Sequence, residues 1–138
     1  MTIILAVDGS RFAAKAVAFL LKQPQWAHDD ANEIIVINVQ VRMISRSLPR
    51  NVLAAHYEDA AHAALKPVER LLARHKIAWR SVWTIGYPAA EIVKLATKEK
   101  AQMIVMGTRG RSTLGRVFMG SVAQEVVSAS KVPVLLVK

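Results

Sequence analysis

Cysteine is absent from this 138-residue chain. There is therefore no disulfide framework, no thiol nucleophile and no cysteine-based zinc site. A reducing compartment agrees with that absence. Long apolar runs are missing too, and stretches such as residues 16–21 fall far short of the ~20 residues that span a bilayer. The N-terminus enters an apolar strand at once, Ile3-Ile4-Leu5-Ala6-Val7. It lacks the charged, then apolar, then small order of a secretory signal. These absences predict a soluble, cytoplasmic protein. His28, His56, His62 and His75 have no metal-ligating spacing, and no His-Glu-x-x-His pattern occurs. They read as surface or helix residues. Trp26, Trp79 and Trp83 read as core or interface residues rather than base-stacking platforms. Acidic residues are also scarce, with ten Asp and Glu against nineteen Lys and Arg.

The net charge of +9 is unevenly placed. Residues 1–41 carry three basic and four acidic groups, whereas residues 42–138 carry sixteen and six. Such a field favours anionic partners, although a solvated basic surface explains it equally well. At 53% hydrophobic and 21% charged, the composition excludes disorder and suits one domain over residues 1–138 with a real core.

The chain alternates strand-like and helix-like segments. Residues 2–7 read as a strand, Asp8-Gly9-Ser10 as a turn, and residues 12–22 as a helix that Ser10 can cap. Pro24 ends that helix. Residues 33–41 form a second strand, apolar enough to be buried on both faces. Residues 42–50 are polar and basic and read as loop. Residues 53–75 are helical, with Pro67 either kinking the helix or starting a second piece. A third strand covers residues 79–85. Gly86-Tyr87-Pro88 turns into a helix reaching about residue 99, with Pro88 in its first turn. Residues 103–106, 120–130 and 134–137 follow as strand, helix and strand. Strands alternating with helices imply right-handed crossovers and a parallel sheet, with ligands at the carboxyl ends of the strands.

One pattern carries the chemistry. After the strand at residues 103–106 come Gly107, two residues, Gly110, nine residues, then Gly120 and Ser121 at a helix start. Glycines let a backbone approach an anion and expose its N–H groups. The helix start adds unpaired donors and the positive end of the dipole. That combination suits a chain of phosphates. Arg109, Arg111 and Arg116 can clamp phosphates or form an exposed basic loop, and Ser112 and Thr113 lie in the same loop. Ser121 can open the helix and meet phosphate at once.

The spacing of Gly107, Gly110, Gly120 and Ser121 resembles the signature of the universal stress protein family, in its ATP-binding branch. Val7-Asp8-Gly9-Ser10, Gly86-Tyr87-Pro88 with the following Ala-Ala-Glu-Ile92, and residues 132–137 resemble it in the same order, so the likeness covers nearly the whole chain. It implies an α/β three-layer sandwich of the adenine nucleotide alpha hydrolase-like type. The sheet is five-stranded and parallel, in order 3-2-1-4-5, with four helices. It also implies ATP as ligand, with Mg²⁺ or Mn²⁺ held through the phosphates. By position, Ala6, Val7 and Val39 would line the adenine, and Asp8, Met106 and Gly107 would lie by the sugar. Arg109, Gly110, Gly120, Ser121 and Val122 match the phosphate-contacting positions. The family often has histidine where this chain has Asn38.

Catalysis has little support in the sequence. No Walker Lys-Ser/Thr follows a glycine loop, and no second acidic residue is obviously placed near Asp8. The third strand ends Trp83-Thr84-Ile85-Gly86 without a carboxylate, against a phosphoacceptor role for Asp8 of the receiver-domain type. The expectation is a stress-response or signalling module that holds ATP. A slow ATPase using the same crevice and a basic nucleic-acid or anionic-surface binder are the rivals; the latter lacks RNP, KH and helix-turn-helix signatures. Finally, Val134-Leu135-Leu136-Val137 is an apolar edge strand without proline or charge, which predicts a homodimer through it. The competing reading covers that edge with residues 42–50.

Overall fold

The computed structural model describes residues 1–44, 47–109 and 119–138. Along them run β1 (Thr2–Ala6), α1 (Arg11–Leu21), α2 (Pro24–Ala27), β2 (Glu33–Gln40) and α3 (Arg50–Leu72). After these come β3 (Ala78–Ile85), α4 (Pro88–Lys98), β4 (Met103–Gly107), α5 (Ser121–Ala129) and β5 (Val134–Val137). The strands form one parallel sheet in the order β3-β2-β1-β4-β5.

Period-two alternation divides the side chains of each strand between two cores. Ile3, Leu5, Val7, Ile34, Val36 and Val105 pack with Ala16, Val17 and Leu20 of α1 and with Leu65, Val68 and Leu72 of α3. Ile4, Ala6, Ile35, Ile37, Ile104 and Met106 face the other way, against Ile92 and Ala96 of α4 and Ala123 and Val126 of α5. The result is three layers with β1 at the centre, where Ile3, Ile4 and Leu5 are wholly buried. Each such side chain contributes roughly 1.5–3 kcal/mol by leaving water. Trp79 and Trp83 share one face of β3 and pack against the first core, as their spacing predicts.

Three local expectations are corrected. Five helices occur among the described residues rather than four, because Pro24 opens a single further turn, α2, as its first residue. Helix α3 begins at Arg50, three residues before the apolar pattern signals it. Its first turn, Arg50-Asn51-Val52, is exposed, so no buried stripe marks the start. Pro67 does not divide α3. It is exposed, as is Ala63 four residues earlier, so the carbonyl it leaves without a helical partner faces water. The buried stripe of Tyr57, Ala61, Ala64, Leu65, Val68 and Leu72 continues past it.

The sheet has two edges, β3 and β5. Arg80 of β3 pairs with Glu99 at 3.0 Å and with Glu33 at 3.2 Å. Hydrogen bonding to Glu99 leads the causes that raise its pKa above the ordinary guanidinium value. Among the described residues the loop after β2 is anchored on α3. Its Met43 N–H donates to Tyr57 Oη of α3 at 2.6 Å, on the first-core side of the sheet. Among the described residues no helix is long and apolar enough to cross a membrane.

Candidate functional site: a crevice at the strand ends

Because the sheet is parallel, the carboxyl ends of β1, β2 and β4 open on the same side, and α1 and α5 start there. The strand order reverses direction between β1 and β4, which parts the following loops and leaves a crevice. A cavity of about 410 Å³ lies there. Small-molecule sites usually enclose about 300–1,000 Å³.

The β1–α1 turn supplies its acid. Asp8 Oδ1 accepts the Ser10 N–H at 2.9 Å, Gly9 takes the left-handed conformation at φ 82°, and Ser10 Oγ accepts the Ala13 N–H at 3.3 Å. Ser10 thus caps α1 as expected, and the Asp8 carboxylate is fixed through one oxygen. Its other oxygen has no hydrogen bond among the described residues.

Val7 and β2 are joined by a polar relay. The Val7 N–H donates to the Ile37 carbonyl at 3.0 Å, and the Val7 carbonyl accepts Asn38 Nδ2 at 2.9 Å. Gln40 Nε2 in turn donates to Asn38 Oδ1 at 2.6 Å. A backbone carbonyl can only accept, so Asn38 must turn its amide nitrogen toward Val7 and its oxygen toward Gln40. Gln40 must then present its nitrogen, which leaves its Oε1 as an acceptor on a cavity-lining residue. Asn38 is 2% exposed and satisfied, so it costs little where the family often has histidine.

The β4–α5 side supplies donors. The Thr108 N–H donates to the Val137 carbonyl at 3.0 Å, and the Gly120 N–H donates to the Thr108 carbonyl at 2.7 Å. That second bond brings the start of α5 to the end of β4. Gly120 is the N-cap and has no side chain to satisfy the first turn, and helical bonding resumes with the Gln124 N–H on the Gly120 carbonyl at 3.0 Å. The N–H groups of Ser121, Val122 and Ala123 therefore lack intrahelical acceptors, and all three residues line the cavity. Gly120 positions these donors, but its own amide is already engaged.

Ala6, Val7, Asp8, Val39, Met106, Gly107, Arg109, Gly120, Ser121 and Val122 all line this one cavity. Gly110 lies outside the described residues, as do Arg111, Ser112, Thr113 and Arg116. The sequence reading missed a rim formed by Gln40, Val41 and Met43 after β2, and by Pro88 and Ile92 of α4. The two-residue link Gly86-Tyr87 was the available signal for α4. So short a connection keeps the start of α4 at the same end of the sheet. The four histidines are exposed and stand apart from the cavity. Among the described residues no group of three or more His, Asp or Glu could hold a metal, and Asp8 is the one carboxylate in the lining.

Residues 1–138 match the sequence profile of the universal stress protein family throughout. The chain belongs to the universal stress protein family. A universal stress protein of Thermus aquaticus, encoded in the 3′ region of a QAH/OAS sulfhydrylase, is 33% identical over 142 residues, covering 99% of this chain and 98% of the relative. The structure of the Methanocaldococcus jannaschii protein MJ0577 is similar with a TM-score of 0.84 and 27% identity, over 99% of this chain and 94% of that one. A universal stress protein solved in complex with cAMP shares the fold at a TM-score of 0.72 and 24% identity, over 100% of this chain and 97% of that one.

Proposed function

We infer that this universal stress protein holds an adenine nucleotide, ATP, in the crevice and acts as a cytoplasmic stress-response or signalling module rather than an efficient catalyst. One observation carries the reading: three amides at the start of α5, without a partner among the described residues, line the same cavity as Asp8 and Arg109. Amides and dipole favour phosphate, Arg109 adds charge, and the free oxygen of Asp8 suits a ribose hydroxyl. Ala6, Val39, Ile92 and Met106 give an apolar seat for a base. Gln40 Oε1 is an acceptor suited to the exocyclic amine of adenine. The relative solved with cAMP supports a nucleotide of this base.

A divalent cation would reach the site on the phosphates, with Asp8 the available carboxylate. Among the described residues the lining offers neither lysine nor histidine as a proton carrier, and Asp8 is already tied to Ser10. These features support retention of the nucleotide over turnover.

Isothermal titration tests the reading. Wild-type protein should bind ATP, and Gly120→Val should weaken it at least tenfold by placing bulk beside the three amides. Gly120 sits at φ −62°, which valine adopts, so the loss would report the blocked approach rather than backbone strain. Unchanged affinity in the folded variant would remove the phosphate assignment.

A further inference from the structure

Three cations surround one aromatic ring just beyond the rim. Phe12, in the first turn of α1, has Arg11 Cζ at 5.1 Å, Lys15 Nζ at 5.7 Å and Arg109 Cζ at 5.7 Å from its ring centroid. All three lie within 5.7 Å of one ring centroid, so their separations are comparable with the Debye length of ~10 Å at 0.1 M salt and they repel one another. Among the described residues the ion pairs are those of Arg80 with Glu33 and Glu99, so none of the three has a carboxylate partner. The ring's negative face offsets part of the repulsion. A bound polyanion would offset the rest.

The ring's place is fixed by packing. A Cβ built on Gly107 would stand 2.8 Å from Phe12 Cβ and 2.9 Å from its backbone carbon and oxygen. The start of α1 is thus pressed against the end of β4, where Gly107, Thr108 and Arg109 line the cavity. Ala13, next to Phe12, lines it as well, whereas Arg11 and Lys15 lie outside. Arg109 alone belongs to both groups, linking the crevice to the outer pair of charges.

We propose that Arg11, Lys15 and Arg109, gathered on Phe12, form an outer subsite for the far end of a phosphate chain, so that the ligand is a nucleotide carrying three or more phosphates. The proposal rests on the nucleotide reading of the crevice. Phosphates near the base meet the amides of α5, and later ones cross Arg109 to reach Arg11 and Lys15. The subsite adds affinity with each phosphate beyond the first and none for adenosine or a monophosphate.

The test compares adenosine, AMP, ADP, ATP and inorganic tripolyphosphate on wild type and on the double variant R11Q/K15Q. The double variant K94Q/K98Q removes the same charge from α4 as a control. R11Q/K15Q should bind adenosine and AMP within twofold of wild type, and ATP and tripolyphosphate at least tenfold more weakly. K94Q/K98Q should match wild type throughout. Equal weakening of AMP and ATP, or equal weakening by the control, overturns the outer subsite. So does ATP or tripolyphosphate binding that ignores R11Q/K15Q, or wild type that binds neither. If R11Q/K15Q loses tripolyphosphate while wild type binds no adenine compound, the subsite stands and the nucleotide reading falls.

Discussion

Asp8 follows β1, Arg109 follows β4, and the two differ in the kind of bond they can make. Arg109 carries charge and has no carboxylate partner among the described residues. A charge-assisted contact to phosphate contributes about 1–3 kcal/mol. Arg109→Ala should therefore weaken ATP by roughly tenfold or more and leave adenosine nearly unchanged. Asp8→Ala should weaken adenosine and ATP by the same factor, because its free oxygen is placed for the sugar they share. Titration of both ligands on both variants checks this. Identical selectivity in the two variants would contradict the division of the crevice into sugar and phosphate halves. The glycines play unequal parts at this scale. Gly9 needs its positive φ, Gly107 needs the absence of a Cβ beside Phe12, and Gly120 leaves the first turn of α5 without a side-chain cap.

Among the elements, α4 ends in a way that invites a test. The Ala101 N–H reaches back to the Ala96 carbonyl at 2.9 Å, which places Lys100 in the left-handed conformation at φ 52°. Lys100 is exposed, so its side chain gains no packing to offset that backbone cost. Lys100→Gly should stabilise the protein by about 0.5–1 kcal/mol, read as a higher urea midpoint at unchanged slope. An unchanged or lower midpoint would contradict the assignment. The strands were legible in the sequence because Ile3, Ile4, Ile34, Ile35 and Ile104 leave no polar face, and parallel central strands are buried on both sides. Helix ends were less legible. Arg50-Asn51-Val52 has no buried stripe, and proline announces an interruption without saying whether water can satisfy the carbonyl it orphans. Within the site, the glycine spacing located the phosphate end. The engaged Gly120 amide and the Asn38–Gln40 relay depend on which strands are neighbours, and one-dimensional spacing does not contain that.

For the whole molecule, β5 is the open question that a second copy would answer. It hydrogen-bonds to β4 on one side, and its residues are half-buried. An apolar edge without proline or charge is a template for pairing, and the same edge of another copy completes a two-fold contact. We expect a homodimer in light scattering at micromolar concentration. Leu135→Pro should shift it to monomer by removing a ladder donor. A wild type that remains monomeric at high micromolar concentration would rule this assembly out. The central claim, that an adenine nucleotide sits across the ends of β1, β2 and β4, is met most directly by amide chemical-shift mapping during an ATP titration. The largest shifts should fall on Val7, Asp8, Val39, Arg109, Ser121, Val122 and Ala123. Shifts confined to another surface, such as the face of α4 bearing Lys94 and Lys98, or no shifts at millimolar ATP, would contradict it.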